Sequence, residues 1–400
     1  MNEELVGISN LPGASSSRPL HVLTLTPFYP TNQDDASGCF VYEPLLALAK
    51  LGIQNTVYAV QPFYRGRFSS DTQSITVRWI RYAALPSGLG LPTAGAFVFA
   101  HVVGKLRELH RDHPVDLIHA HGALPCGHAA MLLSKELGIP FVISVHGLDA
   151  YSTVQVSGRA GRWCRRISQH TFMAARRVIC ISEHVREAVL EGVGKNARTS
   201  VVYNGADPEM FSPAPRPTSA DTTILSVGNL IPIKGHELLV RAVASLTAEF
   251  PSLQLEIIGR GPERRRLENL AKQLGCEKRV ALLGRRSRRE TAEAMRQCTI
   301  FALPSRYEGL GCVYLEAMSA EKPVIGCRGQ GIAEVIRHGS NGFLVGPDNE
   351  RELALALSML LRDEASRRNV GVRARETVLD GFTLAHQAER LARIYRECVR

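Results

Sequence analysis

Chemistry-bearing residues are densest in Pro304-Ser305-Arg306-Tyr307-Glu308-Gly309-Leu310-Gly311-Cys312-Val313-Tyr314-Leu315-Glu316-Ala317-Met318. An apolar strand ends at Pro304, glycines follow, and a helix is expected to begin near Gly311. Glycines there let a ligand approach the backbone, and a helix start offers free N–H groups to an anion. The spacing puts Glu308 in the loop and Glu316 in the second turn of the helix, both facing one crevice. Two carboxylates beside an anion site suit a hydroxyl-rich ligand, because each can accept a pair of hydrogen bonds from a diol.

Other candidates are more isolated. His119 and His121 alternate along Leu117-Ile118-His119-Ala120-His121, so both point to one face of a strand. No third metal ligand accompanies them, and His121 stays open between lining a cleft and a structural role. His146 ends another strand and is better placed to face a ligand. Ile258-Gly259-Arg260-Gly261 starts like a dinucleotide fingerprint but lacks the third glycine and the later acidic residue, which argues against a nicotinamide dehydrogenase. Asp34-Asp35 is the nearest approach to a metal-binding D-x-D pair and reads as a solvated loop. Arg159, Arg162, Arg165, Arg166, Arg176 and Arg177, interleaved with Trp163, Ile167 and Phe172, form a basic stretch over 159–177 that could lie on an anionic membrane. Arg285-Arg286 and Arg288-Arg289 read mostly as surface charge. No nucleic-acid motif accompanies any of these clusters.

The elements that must position these residues alternate between strand and helix. Apolar strands are expected at 21–26, 55–60, 77–82, 115–120, 141–145 and 178–181, with helical spacing at 42–51 and 94–110. Residues 206–222 hold Pro208, Pro213, Pro215 and Pro217 without sustained periodicity and read as a linker. Strands then recur at 224–227, 253–258, 280–283, 300–303 and 324–325. Strands separated by helical segments of about 10–15 residues indicate parallel βαβ sheets. The reading is therefore α/β, with two doubly wound Rossmann-like domains facing a central cleft. Residues 1–20 read as a flexible tail, 21–205 as an N-terminal domain and 223–383 as a C-terminal domain. A last helix at about 384–400 packs back on the first domain. Ligands of such sheets bind beyond the carboxyl ends of the strands.

Composition agrees with a globular protein. Of 400 residues, 45% are hydrophobic and 22% charged, and two domains are the default at that length. The formal charge of +10 favours anionic partners without choosing among them. Nine cysteines without a CxxC pair read as small buried hydrophobes in a reducing compartment. The polar N-terminus lacks the order of a signal peptide, and the most apolar stretch, 94–103, is about half of what a spanning helix needs.

Glu308 and Glu316, seven residues apart in SRYEGLGCVYLEAM, resemble the E-x7-E signature of the retaining family 4 (group 1) glycosyltransferases with the GT-B fold. The resemblance extends over nearly the whole chain through Gly38-Cys39-Phe40, Val145-His146-Gly147, Asn204-Gly205-Ala206-Asp207, Val227-Gly228-Asn229-Leu230 with Lys234-Gly235, Ile258-Gly259-Arg260-Gly261-Pro262, and Asn341-Gly342-Phe343-Leu344-Val345. It implies that Glu316 binds the ribose hydroxyls of a nucleotide-sugar donor and that Glu308 holds the donor sugar. Backbone amides at Gly309, Leu310 and Gly311 would contact sugar or phosphate. Lys234 would neutralise the diphosphate, Gly38 would let a loop approach it, and His146 would face the sugar from across the cleft. Gly284 and Arg285 would border the base, while His121 and Asp149 are assigned to the acceptor side. No cofactor and no metal are expected.

Two positions depart from the family pattern. Asn229 stands where an arginine usually follows the glycine, and Glu321 where a glycine usually precedes the basic residue and proline. The expected activity is transfer of a sugar to a glycan, lipid-linked or small-molecule acceptor in polysaccharide or glycoconjugate biosynthesis. The expected place is the cytoplasm, with peripheral contact at the inner membrane face as a further option. A nucleotide-sugar epimerase and a catalytically silent carbohydrate- or partner-binding module are the alternatives.

Overall fold

The computed structural model describes residues 18–64, 75–85, 90–151, 156–214 and 222–400. The tail before residue 18 and linker residues 215–221 thus lie outside the described residues. Seven strands form the first sheet: β1 (His21–Thr26), β2 (Gln54–Pro62), β3 (Thr76–Tyr82), β4 (Leu117–His121), β5 (Phe141–Val145), β6 (Arg177–Cys180) and β7 (Thr199–Val201). All pair in parallel, in the order β3-β2-β1-β4-β5-β6-β7. The helices between them are α1 (Cys39–Lys50), α2 (Leu91–Asp112), α3 (His128–Leu137), α4 (Gly158–Ala174) and α5 (Glu183–Val193).

Six more parallel strands form the second sheet: β8 (Thr222–Val227), β9 (Leu253–Ile258), β10 (Val280–Gly284), β11 (Ile300–Ala302), β12 (Val324–Cys327) and β13 (Phe343–Val345), ordered β10-β9-β8-β11-β12-β13. Their helices are α6 (His236–Leu246), α7 (Arg264–Gln273), α8 (Arg288–Gln297), α9 (Cys312–Ser319), α10 (Glu350–Arg362), α11 (Glu364–Gly381) and α12 (Leu384–Cys398).

A parallel sheet is covered on both faces, so its strands read as unbroken apolar runs. Every residue of β1, β4 and β5 is buried. Leu23, Leu25 and Ile118 pack with Val98 and Val102 of α2 and Leu133 of α3. Val22, Leu117 and Val142 point the other way, to Leu45 of α1 and Leu391 and Tyr395 of α12. The second sheet is likewise clad by α6, α7 and α10 on one face. Its other face, with Leu315 and Met318 of α9, belongs to the apolar cluster that continues into the first half. Strands β7 and β13, absent from the sequence reading, are three residues each, too short for a periodicity. No helix among the described residues is long and apolar enough to cross a membrane.

The chain crosses between the halves twice. Ala206 N donates to Phe382 O at 2.9 Å and Leu384 N donates to Ala206 O at 3.0 Å, so the two crossings run side by side. Helix α12 then lies on α1, and Tyr395 Oη is 2.7 Å from His119 Nδ1.

In both sheets the strand order reverses beside the first strand, between β1 and β4 and between β8 and β11. Such switch points open a crevice at the carboxyl ends. Residues 27–38, 228–235 and 303–311 leave the sheets at these points.

Candidate functional site

A cleft of about 510 Å³ lies between residues 36–40 of the first half and the loops following β8, β9, β10 and β11 of the second. Two glycines shape its rim. Gly38 has φ +76°, and a Cβ there would come within 2.7 Å of Tyr29 N, so the turn into α1 requires glycine. Gly311, at φ +83°, precedes α9, and a Cβ there would meet the Tyr314 ring at 2.6 Å.

Lys234 sits in a single 3-10 turn after β8, and Glu308 in the loop before α9. The Lys234 Nζ donates to Glu308 Oε2 at 2.6 Å, with both side chains mostly buried. Gln330 steadies Glu308 by accepting its backbone N–H at 2.9 Å. Asn229 lines the same cleft.

Deeper lies a second charged group. Arg288, first residue of α8, donates through Nη1 to Glu316 Oε1 at 2.7 Å. Through Nε and Nη2 it donates to both oxygens of Glu43 on α1, at 2.8 and 2.9 Å. Its guanidinium also stands 4.8 Å from the centre of the Phe211 ring. The Arg288 and Glu316 side chains are each 4% exposed and that of Glu43 is 14% exposed. One cation thus serves two buried carboxylates. Burial, opposed by Arg288 and reinforced by the Glu316 charge, pushes the Glu43 carboxyl up to about 7. Glu316 lines the cleft, and its Oε2 is buried with no hydrogen-bond partner among the described residues.

The halves clasp each other through helix starts. Arg288 N donates to Asp34 O at 2.9 Å and Arg289 N to Asp34 Oδ1 at 2.8 Å, while Arg285 pairs with Asp35 and Ser37. In the opposite sense, Glu183 N and His184 N at the start of α5 each donate to a Glu334 carboxylate oxygen at 2.8 Å. A carboxylate at a helix N-terminus meets both free amides and the positive end of the dipole. Ser182 Oγ donates to Gly309 O at 2.5 Å in the same contact.

Three histidines occupy the first half beyond Phe40. His121 Nδ1 lies 3.0 Å from His146 Nε2, with the rings stacked at 5.2 Å. The His119 ring lies tilted against His121, centroids 4.5 Å apart, and reaches Ser144 Oγ at 2.8 Å. Burial lowers all three, His119 to about 3 and His146 to about 4, so the rings are neutral. Asp149 Oδ1 accepts from His146 N at 2.9 Å, and burial pushes its carboxyl up to about 6.

Residues 40–210 match the family described as Glycosyltransferase Family 4, and residues 210–377 match Glycosyl transferases group 1. An uncharacterised glycosyltransferase of Methanocaldococcus jannaschii is 31% identical over 278 residues, 69% of this chain and 74% of its own length. The chain belongs to the group 1, family 4 glycosyltransferases. The D-inositol 3-phosphate glycosyltransferase of Corynebacterium glutamicum is 29% identical over 94% of this chain and 95% of its own. Among solved structures, Anabaena HepE in complex with UDP-glucose covers 94% of this chain and 100% of its own, at TM-score 0.75 and 22% identity. The fold of this group 1 glycosyltransferase is GT-B.

The glycosyltransferase brings Glu308, Glu316, Lys234, Asn229, Gly311 and Arg285 to one cleft, as the sequence leads one to expect. Gly38 is flanked by the cleft-lining Ser37 and Cys39. Gly309, Leu310 and Gly284 adjoin the cleft-lining Glu308, Gly311 and Arg285. Leu310 is wholly buried, Gly309 packs where a Cβ would meet His146 O at 2.7 Å, and Gly284 O accepts from Gly259 N at 2.8 Å. His146, expected to face the sugar, lines a narrow crevice with His121, and Phe40 lines both that crevice and the cleft.

Three further readings change. Asp34 and Asp35 are bound to the second half of the glycosyltransferase rather than to solvent, and Arg288 is buried rather than surface charge. In α4, Trp163 is 52% exposed beside exposed arginines, but Phe172 is core, packed on Tyr151. Glu321 has φ +58°, the conformation glycine adopts freely, which explains why a glycine is usual there. Sequence reasoning missed Glu43, Arg288 and Glu334. Glu43 is one acid in an apolar helix and Arg288 one of four nearby arginines, so neither carries a spacing signal.

Proposed function

We propose that the protein transfers a sugar from a nucleoside-diphosphate sugar to a glycan, lipid-linked or small-molecule acceptor, with retention of configuration and without a metal. The observation that carries this reading is one cleft holding Lys234, Glu308 and a buried Glu316 oxygen without a partner. The departing diphosphate gains negative charge, which a fixed ammonium and the amides at the start of α9 stabilise. Lys234 then exchanges its contact with Glu308 for phosphate oxygens, and Glu308 is released to accept from donor-sugar hydroxyls. Glu316 accepts from the ribose. That HepE binds UDP-glucose makes uridine donors the first to try.

The neutral His121–His146 pair fits an uncharged hydroxyl group on the acceptor side. The D-inositol 3-phosphate glycosyltransferase shows by name that a relative uses a small polyol phosphate. The exposed Trp163 and arginines of α4 support contact with an anionic membrane surface. Binding to anionic but not neutral liposomes, lost as salt shortens the screening length below about 10 Å, is expected of that face.

The test is hydrolysis and transfer with UDP-, GDP- and ADP-sugars, each with and without EDTA. Activity with at least one donor in EDTA, and a product keeping the donor's anomeric configuration by NMR, is expected. Loss in EDTA restored by magnesium or manganese overturns the metal-free part. Epimerisation of the nucleotide sugar without any acceptor, the sugar–diphosphate bond staying intact, overturns transfer itself.

A further inference from the structure

Arg288 touches every part of the molecule that meets at the cleft. Its side chain forks onto Glu43 of the first half and onto Glu316 of the second. Its face lies on Phe211 of the crossing segment, and its backbone N–H is held by Asp34. Stability does not account for such a group. Taking three charges out of water costs several kcal/mol per ion, and apolar residues of similar size often do as well. What the arrangement does supply is direction. Glu316 would otherwise be free to turn about its last side-chain bond and to pair through either oxygen. With Oε1 committed to Arg288, Oε2 is the oxygen left without a partner, on a residue that lines the cleft.

We propose that Arg288 is a positioning residue for the donor site, aiming Glu316 Oε2 at the vicinal hydroxyls of the donor ribose, and that Glu43 holds Arg288 in that pose from the other half. This rests on the donor-site reading above. Glu43 takes two of the three guanidinium contacts, so Arg288 keeps its direction when the halves are together and loses it when they part. Ribose recognition and closure are then one event. A lysine cannot replace Arg288, because a point cation lacks the planar fork that spans two carboxylates. Neither Arg288 nor Glu43 need touch the ligand.

The experiment compares each nucleoside diphosphate with its 2′,3′-dideoxy form by calorimetry, using UDP, GDP and ADP. The full-length protein is tested as wild type, Glu316→Gln, Glu43→Gln and Arg288→Lys. Hydrogen bonds to a charged acceptor make the wild type favour the ribose form by roughly 10–100-fold. That preference is expected to fall to roughly threefold or less in Arg288→Lys and in Glu316→Gln, and at least severalfold in Glu43→Gln, with dideoxy affinity little changed. A merely structural role would weaken both ligands alike and leave the ratio intact. If Arg288→Lys does not fold, Glu43→Gln decides. An unchanged ratio in the folded variants beside a collapsed ratio in Glu316→Gln overturns the positioning role while sparing the donor site. A wild type that binds none of the three diphosphates overturns both.

Discussion

The charged cleft and the histidine crevice lie on either side of Phe40 and follow opposite electrostatic plans. On the proposed donor side, Lys234 pairs with Glu308 and Arg288 with both Glu316 and Glu43, and one carboxylate oxygen is left over. On the other, His119, His121 and His146 are stripped of charge by burial and held by ring stacking, Ser144 and Tyr395. The first plan answers an anionic ligand, whose phosphates can displace a carboxylate from a lysine. The second answers a neutral hydroxyl, which needs a hydrogen-bond partner and no net charge. The difference teaches that neighbouring spaces in one fold can be built on opposite electrostatics, and on the proposed function it divides leaving-group stabilisation from acceptor binding.

Substitutions should divide along that line. The largest effect is expected from Lys234→Ala, which removes the cation proposed to face the departing diphosphate while Asn229 offers no replacement charge. A fall in kcat of roughly 100-fold or more is expected, with a smaller change in KM. Normal turnover would break the comparison at its donor end. Glu316→Ala should weaken nucleotide affinity by about 1–3 kcal/mol. Unchanged calorimetric affinity in a folded variant would remove the ribose role. Neither substitution should disturb the histidine crevice.

The two plans also oppose each other in their response to acid. The unfolded chain protonates His119, His121 and His146 near their ordinary value of 6.5, whereas the folded chain resists until about 3 for His119 and about 4 for His146. Their contribution is present above pH 6.5 and lost as pH falls. Glu43 and Asp149 work the other way, since their folded values of about 7 and about 6 lie above the ordinary 4.5 and 3.8. Their contribution is present at low pH and lost as pH rises through 6–7. Three histidines against two carboxyls leave a net loss of stability on acidification. Glu43→Gln removes one compensating group and should steepen that loss between pH 7 and 4.5, by at most about 1.4 kcal/mol per pH unit. Denaturant melts across this range check it, and a slope equal to wild type would show that Glu43 is ionised throughout.

The smallest effect serves as a control remote from both clusters. Glu321 adopts φ +58° without being glycine. Glu321→Gly should stabilise the fold by about 0.5–1 kcal/mol, seen as a higher Tm with unaltered kinetics. A change in activity instead would extend the donor site to the end of α9.

Much of this architecture is legible in the sequence because local patterns encode it. Buried parallel strands such as β1 and β9 announce themselves as apolar runs, and Glu308 and Glu316 sit in a loop-to-helix signature whose spacing has a geometric meaning. What stays hidden is what depends on contacts between distant segments. Glu43 and Arg288 are 245 positions apart and meet only when both sheets are folded. His146 at its strand end gives no sign in the sequence of the Phe28 and Phe40 rings that pack against it. Asp34 and Asp35 read as loop acids because the helix start that receives Asp34 lies on the other half of the chain.

The paired crossings at Ala206 and Phe382–Leu384 have a mechanical consequence. Two bodies joined by one flexible strand can swivel, twist and translate, whereas two strands bonded side by side act as a door hinge with a defined axle. Relative motion is then confined largely to one angle. Were the halves to part, the paired crossings would favour return of the Arg288 fork and the Asp34 and Glu334 contacts to the same register. Sugar transfer would thereby lose little time to misaligned closures, and a cut in either strand should add wobble before it reduces affinity.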